Sequence, residues 1–277
     1  MPDVLIIGGG FAGVWSAMAA ARLHHEHAAD LSVCLVTPDD YLTIRPRLYQ
    51  ASPAGMRVAL DRILAPIGVR RIAGTAVTVD TRASKVVVAH SHGSDAVGYR
   101  RLVLAPGSVL VRPDLPGNGH LFDVDSIAGA VALESHLHEL AATAPEDGQL
   151  TAVVIGAGFT GLEVATTLTG RLRALAGPCA GQVRVVLIDQ APTVGSQLGP
   201  APRPIIEAAL DQLGVEVRLN VSVASINATQ ITLTDKTVIT TRTVIWTAGM
   251  RAHALGAQIP GRHDHLGVKS LGVVFRG

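Results

Sequence analysis

Two cysteines stand in the 277 residues, Cys34 inside an apolar run and Cys179 among Gly, Pro and Ala, and no C-x-x-C occurs. That excludes a disulfide framework and fits a reducing cytosol. Charge is scarce too, at 16% of residues with a formal net charge of +1, so no field exists that would gather nucleic acid. The arginines fall in scattered pairs, Arg45/Arg47, Arg70/Arg71 and Arg100/Arg101, rather than along one stripe. The N-terminus "MPDVLIIGGG" lacks a basic n-region, and its apolar run is too short for a signal peptide. One stretch approaches the length of a membrane span, "TAVVIGAGFTGLEVATTLTG", but its glycines and Glu163 mark a buried strand and helix joined by a turn. No Ser stands in a G-x-S-x-G elbow, so no Ser-His-Asp arrangement can be argued.

What the chain does contain is small and apolar residues in quantity, 48% hydrophobic with 29 glycines. That is enough to bury a sizeable core in one large domain or two ordinary ones. The same pattern also occurs twice. "VLIIGGGFAG" at 4–13 matches "AVVIGAGFTG" at 152–161 almost position by position. Each is a β-branched run, then G-x-G-x-x-G, then a helix-favouring stretch, then another strand, "LSVCLV" (31–36) or "VRVVLI" (183–188). The reading is βαβ, twice.

Chemistry explains the spacing. Gly8 and Gly156 let the chain turn tightly, Gly10 and Gly158 let a pyrophosphate approach the backbone, and Gly13 and Gly161 let helix pack on strand. The helix N-terminus then offers free N–H groups and a partial positive charge. A ribose-binding acid is expected at the tip of the following strand, and Asp189 stands there in the second copy. The residues after it, "QAPT", include no Arg or Lys for a 2′-phosphate, which favours NAD over NADP. In the first copy Thr37 takes the acid's place, and Asp39 and Asp40 come two and three residues late. A hydroxyl is the weaker partner.

After each unit come strand-like runs separated by turn residues, closing in "RLVLAPG" and "TVIWTAG", so the duplication extends beyond the glycine loops. Trp246, in the second of these closing runs, reads as core. His24 and His27 lie one helical turn apart and His263, Asp264 and His265 form a second cluster. The first reads as a solvated helix end and the second as a Gly-flanked loop, and no metal site is expected.

These residues resemble the flavoproteins with two dinucleotide-binding domains, and among them the type II NADH dehydrogenases. The motifs that carry the likeness are "VLIIGGGFAG", "RPRLYQ" (45–50), "LVLAPGS", "AVVIGAGFTGLEVA" and "TVIWTAGMRAHAL". The resemblance implies an α/β fold with two Rossmann-like three-layer domains, the NADH domain inserted in the FAD domain. Residues 1–116 would begin the FAD domain, 117–247 would form the NADH domain, and 248–277 would return to the first. It implies hydride transfer from NADH to the flavin N5, then electron delivery to an acceptor, typically a quinone. Gly8, Gly10, Ala12, Gly13, Thr37, Ala105 and Gly107 would hold FAD, with Arg45 and Pro46 by the flavin and Val77 by the adenine through its backbone. Gly156, Gly158 and Gly161 would hold NADH, Glu163 would sit near the nicotinamide, Asp189 would bind the ribose and Gly249 would line the cleft.

Without a cysteine pair, a disulfide-reductase relay is excluded, because one thiol cannot pass two electrons. A quinone, a small redox protein such as rubredoxin or ferredoxin, or a soluble dye-like acceptor remains, and a homodimer stays open. Pro106 stands where the family usually has Thr. The ending "HLGVKSLGVVFRG" falls where family members carry a strand and a G-D motif. "LGVVF" could form that strand, but no acid follows, so the ending reads as a cut across the flavin domain. The alternative reading is then a truncated nucleotide-binding protein with impaired or no flavin binding. The expected location is cytoplasmic. Peripheral contact at the cytoplasmic membrane face would require the C-terminal amphipathic region of the type II enzymes.

Overall fold

A computed structural model of the chain describes residues 1–27, 30–143 and 146–260. They form two compact units. Of the described residues, the first comprises Met1–Thr43, Arg57–Val109 and 250–260, and the second Ile44–Met56 and Leu110–Gly249. This division falls at 109 and 249 rather than 116 and 247, and it groups the short segment 44–56 with the second unit. "LGVVF" and the His263, Asp264 and His265 cluster lie outside the described residues, as do the side chains of His24 and His27.

In the first unit β1 (Val4–Ile7), α1 (Phe11–His27) and β2 (Val33–Thr37) make the βαβ unit expected from "VLIIGGGFAG". A hairpin of β3 (Tyr41–Thr43) and β4 (Arg57–Ala59) and the short α2 (Asp61–Leu64) lead to β5 (Arg70–Ala73). An antiparallel sheet of β6 (Thr75–Asp80), β7 (Lys85–His90) and β8 (Gly93–Gly98) precedes β9 (Arg101–Leu104). The main sheet is parallel throughout, in the order β5-β2-β1-β9, with Val4 opposite both Val33 and Arg101.

Alternation along these strands sends side chains to opposite faces, and both faces are covered. Ile6 and Leu35 pack with Val14, Ala17 and Ala21 of α1, while Leu5, Ile7 and Val36 pack with Val79, Val86 and Val88 of the antiparallel sheet. Each such fully buried aliphatic side chain contributes about 1.5–3 kcal/mol relative to leaving it in water. Leu255 and Ile259 join the second of these clusters, so the chain after 249 returns to the first core. A short strand β10 (Ser108–Leu110) follows β9.

The second unit repeats the plan with β11 (Leu121–Phe122), α3 (Ile127–Ala142), β12 (Thr151–Ile155), α4 (Phe159–Ala176), β13 (Arg184–Ile188), α5 (Arg203–Leu213) and β14 (Val215–Arg218). A three-stranded antiparallel piece, β15 (Val223–Ile226), β16 (Gln230–Leu233) and β17 (Val238–Thr240), leads to β18 (Thr243–Trp246). Its parallel sheet runs β11-β18-β12-β13-β14. Val154 and Leu187 face α3 and α4, and Val153, Val186 and Ile188 face the antiparallel piece. Trp246 packs against that latter cluster, in keeping with a core role. Ser126 caps α3 by accepting the Gly129 N–H at 3.0 Å. The last strand among the described residues, β19 (Met250–Ala252), pairs with β10. Among the described residues no helix is long and apolar enough to cross a membrane.

Candidate functional site

Each glycine loop opens at the C-terminal end of its unit's inner strand, directly after Ile7 in β1 and Ile155 in β12. That is where ligands collect in open parallel sheets. Two glycines in each loop are dictated by the protein's own packing. Gly8 and Gly156 have φ of +111° and +105°, which side-chain-bearing residues rarely adopt. A Cβ on Gly13 would lie 1.8 Å from the Gly8 carbonyl oxygen, and one on Gly161 would lie 1.7 Å from that of Gly156. The middle glycines behave differently. A Cβ on Gly10 or Gly158 would meet no atom within 4 Å. Nothing in the fold requires those two positions to be bare, which leaves the backbone there open to approach. α1 and α4 start immediately after them, with no acid in either first turn, leaving N–H groups and dipole to an anion. The exposed Ala12 lies in that turn, and its carbonyl accepts from Ser16 Oγ at 2.7 Å.

The strand tips beside the loops differ between the units. Ile155 is opposite Ile188, which places Asp189 next to the second loop. Its Oδ2 accepts the Ala157 N–H at 2.5 Å and its Oδ1 the Ala191 N–H at 2.7 Å. In the first unit Ile7 is opposite Val36, so Thr37 holds the matching place. Thr37 is buried and its Oγ1 accepts the Asp39 N–H at 3.3 Å. A Cβ on Gly9 would come within 2.7 Å of that oxygen. Gly9 therefore makes room for Thr37 where Ala157 bonds Asp189. Asp40 is turned to Arg71, 2.8 Å away.

The remaining expected residues fall as follows. The Ala105 N–H donates to the Ile7 carbonyl at 2.8 Å, and the Ala105 carbonyl oxygen lies against Gly8. Gly107 has φ of +76°, and its carbonyl accepts the His253 N–H at 3.2 Å. Val77 sits at a register shift between β6 and β7, where the Gln258 side chain donates to its carbonyl (3.2 Å) and accepts the Val79 N–H (2.7 Å). In the second unit the Gly249 carbonyl accepts the Val111 N–H at 2.9 Å. Trp246 Nε1 donates to the Val111 carbonyl at 3.2 Å. Glu163 is exposed on α4, yet desolvation by the surrounding protein pushes its carboxyl above the ordinary value.

Arg45 and Pro46 group with the second unit rather than with the 1–116 segment in which the resemblance sets them. The cause is packing. Leu48 is buried in the second unit's core, Arg171 Nη1 donates to the Tyr49 carbonyl at 2.9 Å, and Arg45 is ion-paired with Asp125. Asp125 Oδ2 also accepts the Leu110 N–H at 3.3 Å. Asp125, Arg171 and Gln258 carry no motif and give no signal in the sequence. Thr247 does give one, as the Thr of "TAG", and its Oγ1 braces the second loop by donating to the Ile155 carbonyl at 2.8 Å. No group of three or more metal-ligating side chains occurs among the described residues.

Two parallel-sheet units, each with a glycine loop at the carboxyl end of an inner strand, define a tandem dinucleotide-binding protein of Rossmann type. The chain belongs to the family described as pyridine nucleotide-disulphide oxidoreductase, which matches residues 2–273. It is 42% identical over 272 residues to an NADH dehydrogenase-like protein of Mycobacterium tuberculosis, covering 96% of this chain and 67% of that one. To a type II NADH:quinone oxidoreductase of the same organism it is 27% identical over 301 residues, covering 98% and 62%. Among solved structures, that of NDH2 from Plasmodium falciparum in complex with NADH superposes with a TM-score of 0.77 at 15% identity, covering 93% of this chain and 57% of that one. At that identity the likeness is one of fold. The chain thus spans about two thirds of the length of the curated relatives it matches.

Proposed function

We propose that the protein is an FAD-dependent NADH dehydrogenase, with FAD on the first glycine loop, NADH on the second, and a quinone as electron acceptor. The observation that carries this reading is the pair of open positions at Gly10 and Gly158, each flanked by glycines that the fold itself requires. A bound flavin supplies the chemistry, accepting a hydride and releasing electrons singly or in pairs. The chain's own residues bind and orient. The N–H groups at the starts of α1 and α4 meet the two pyrophosphates. Asp189 already accepts two backbone N–H groups, and a carboxylate has capacity for the ribose hydroxyls as well. Thr37 shapes the first loop through Gly9, while Ala12, Ala105 and Gly107 line the FAD side. The Val77 backbone, in the same unit as the first loop, would lie by the adenine. Glu163 and Gly249 line the nicotinamide cleft. The names of the relatives support NADH as donor and quinone as acceptor.

The test is direct. The purified chain, with FAD added, should show flavin absorbance that bleaches when NADH is supplied, and a colourless protein that takes up no FAD would overturn the reading. For the acceptor, NADH oxidation should be stimulated by a soluble quinone. Stimulation by rubredoxin or ferredoxin alone would reassign it.

A further inference from the structure

One glutamate on the second sheet holds two arginines. Glu216 Oε2 accepts from Arg184 Nε at 3.0 Å and Nη2 at 2.6 Å, and Glu216 Oε1 accepts from Arg218 Nε at 2.7 Å. Burial alone would raise this carboxyl, but the bonds and charges of the two arginines outweigh it and hold it below the ordinary value. Glu216 is therefore charged at neutral pH. Arg218 ends β14 opposite Ile188, and its carbonyl accepts the Asp189 N–H at 2.9 Å. Its backbone thus adjoins the residue read above as the ribose ligand. Residues i and i+2 of a strand share a face and stand about 6.6 Å apart. Glu216 therefore draws the Arg218 guanidinium back along β14, away from the carboxyl edge where the loop opens. The turn after Asp189 offers no other cation, being Gln190, Ala191, Pro192 and Thr193.

We propose that Glu216 is a specificity-determining residue: by engaging Arg218 it withholds from the adenosine end of the second site a neighbouring cation that a 2′-phosphate could use. The inference rests on the reading that the second unit takes NADH at Asp189. Asp189 disfavours NADPH by repulsion and Glu216 does so by removing an attraction, two separate contributions to one discrimination.

The experiment measures the Kd of NADH and NADPH on the full chain from nicotinamide fluorescence, with melting curves to confirm that each variant folds. Glu216→Gln should tighten NADPH by about tenfold, with NADH unchanged within about twofold, and the gain should shrink as salt rises. Adding Arg218→Met to Glu216→Gln should abolish the gain, and Arg218→Met alone should change neither affinity. Unchanged NADPH binding in Glu216→Gln, a gain that survives the loss of Arg218, or weakened NADH binding in Arg218→Met would each overturn the inference. A wild-type chain that binds no NADH would instead overturn the underlying reading of the second unit, and the inference with it.

Discussion

The glycines of one motif divide into those the fold requires and those a ligand would require, and that difference can be measured. Gly13→Ala places a methyl 1.8 Å from the Gly8 carbonyl oxygen, so helix and loop must separate. The expected cost is about 3 kcal/mol or more, read as a clear drop in melting temperature. Gly10→Ala meets nothing within 4 Å and should leave stability within about 0.5 kcal/mol while weakening FAD retention, read as flavin absorbance per chain. Equal effects on stability would mean that Gly10 is structural as well. At the strand tip, Asp189→Ala should raise the Kd for NADH far more than that for NADPH, because the carboxylate that bonds the ribose also repels the extra phosphate. A parallel change in both would remove Asp189 from the ribose. The glycines were legible at this scale because their spacing is a backbone requirement written directly in residue type. The pairing of Gly9 with Thr37 was not, because it depends on two strands lying side by side.

At the scale of elements, the βαβ units follow from local pattern, whereas the segment 44–56 does not. "RPRLYQ" is polar and short, and only its distant partners in α3, α4 and the 123–125 turn decide where it packs. Leu48→Ala should therefore cost about 2–5 kcal/mol, although the residue lies in a loop-like stretch, and a chemical denaturation curve would show it. α3 carries a second consequence. His136 stacks on Phe122 with ring centroids 4.4 Å apart, and its Nε2 lies 3.0 Å from Thr243 Oγ1. Desolvation lowers its pKa from the ordinary 6.5, partly opposed by the backbone of Arg242 and the charge of Glu139. A neutral imidazole is thus favoured in the folded state. Its contribution is complete above about pH 6.5 and is lost as pH falls through the lowered folded value. The melting temperature should drop on going from pH 7.5 to pH 5.5, and His136→Gln, which can still reach Thr243, should flatten that dependence. An unchanged slope would place the acid sensitivity elsewhere.

For the whole molecule, the duplication has a thermodynamic consequence that one ligand can reveal. A ligand that binds only the folded state stabilises it by about 2.7 kcal/mol at a hundredfold excess over Kd, or roughly 5–10 °C for a domain of this size. If NADH sits on the second loop alone, the shift it causes depends on Gly158 and not on Gly10, even though the two loops are nearly identical in sequence and geometry. Strand tips supply the distinction, since Asp189 offers a carboxylate where Thr37 offers a buried hydroxyl already bonded to Asp39. Differential scanning calorimetry with excess NADH should accordingly show the shift in the wild-type chain and in Gly10→Ala, and lose it in Gly158→Ala, whose own stability without ligand stays close to wild type because its new methyl meets no atom within 4 Å. Loss of the shift in Gly10→Ala with its retention in Gly158→Ala would exchange the two assignments, giving NADH to the first loop and leaving the second for the flavin.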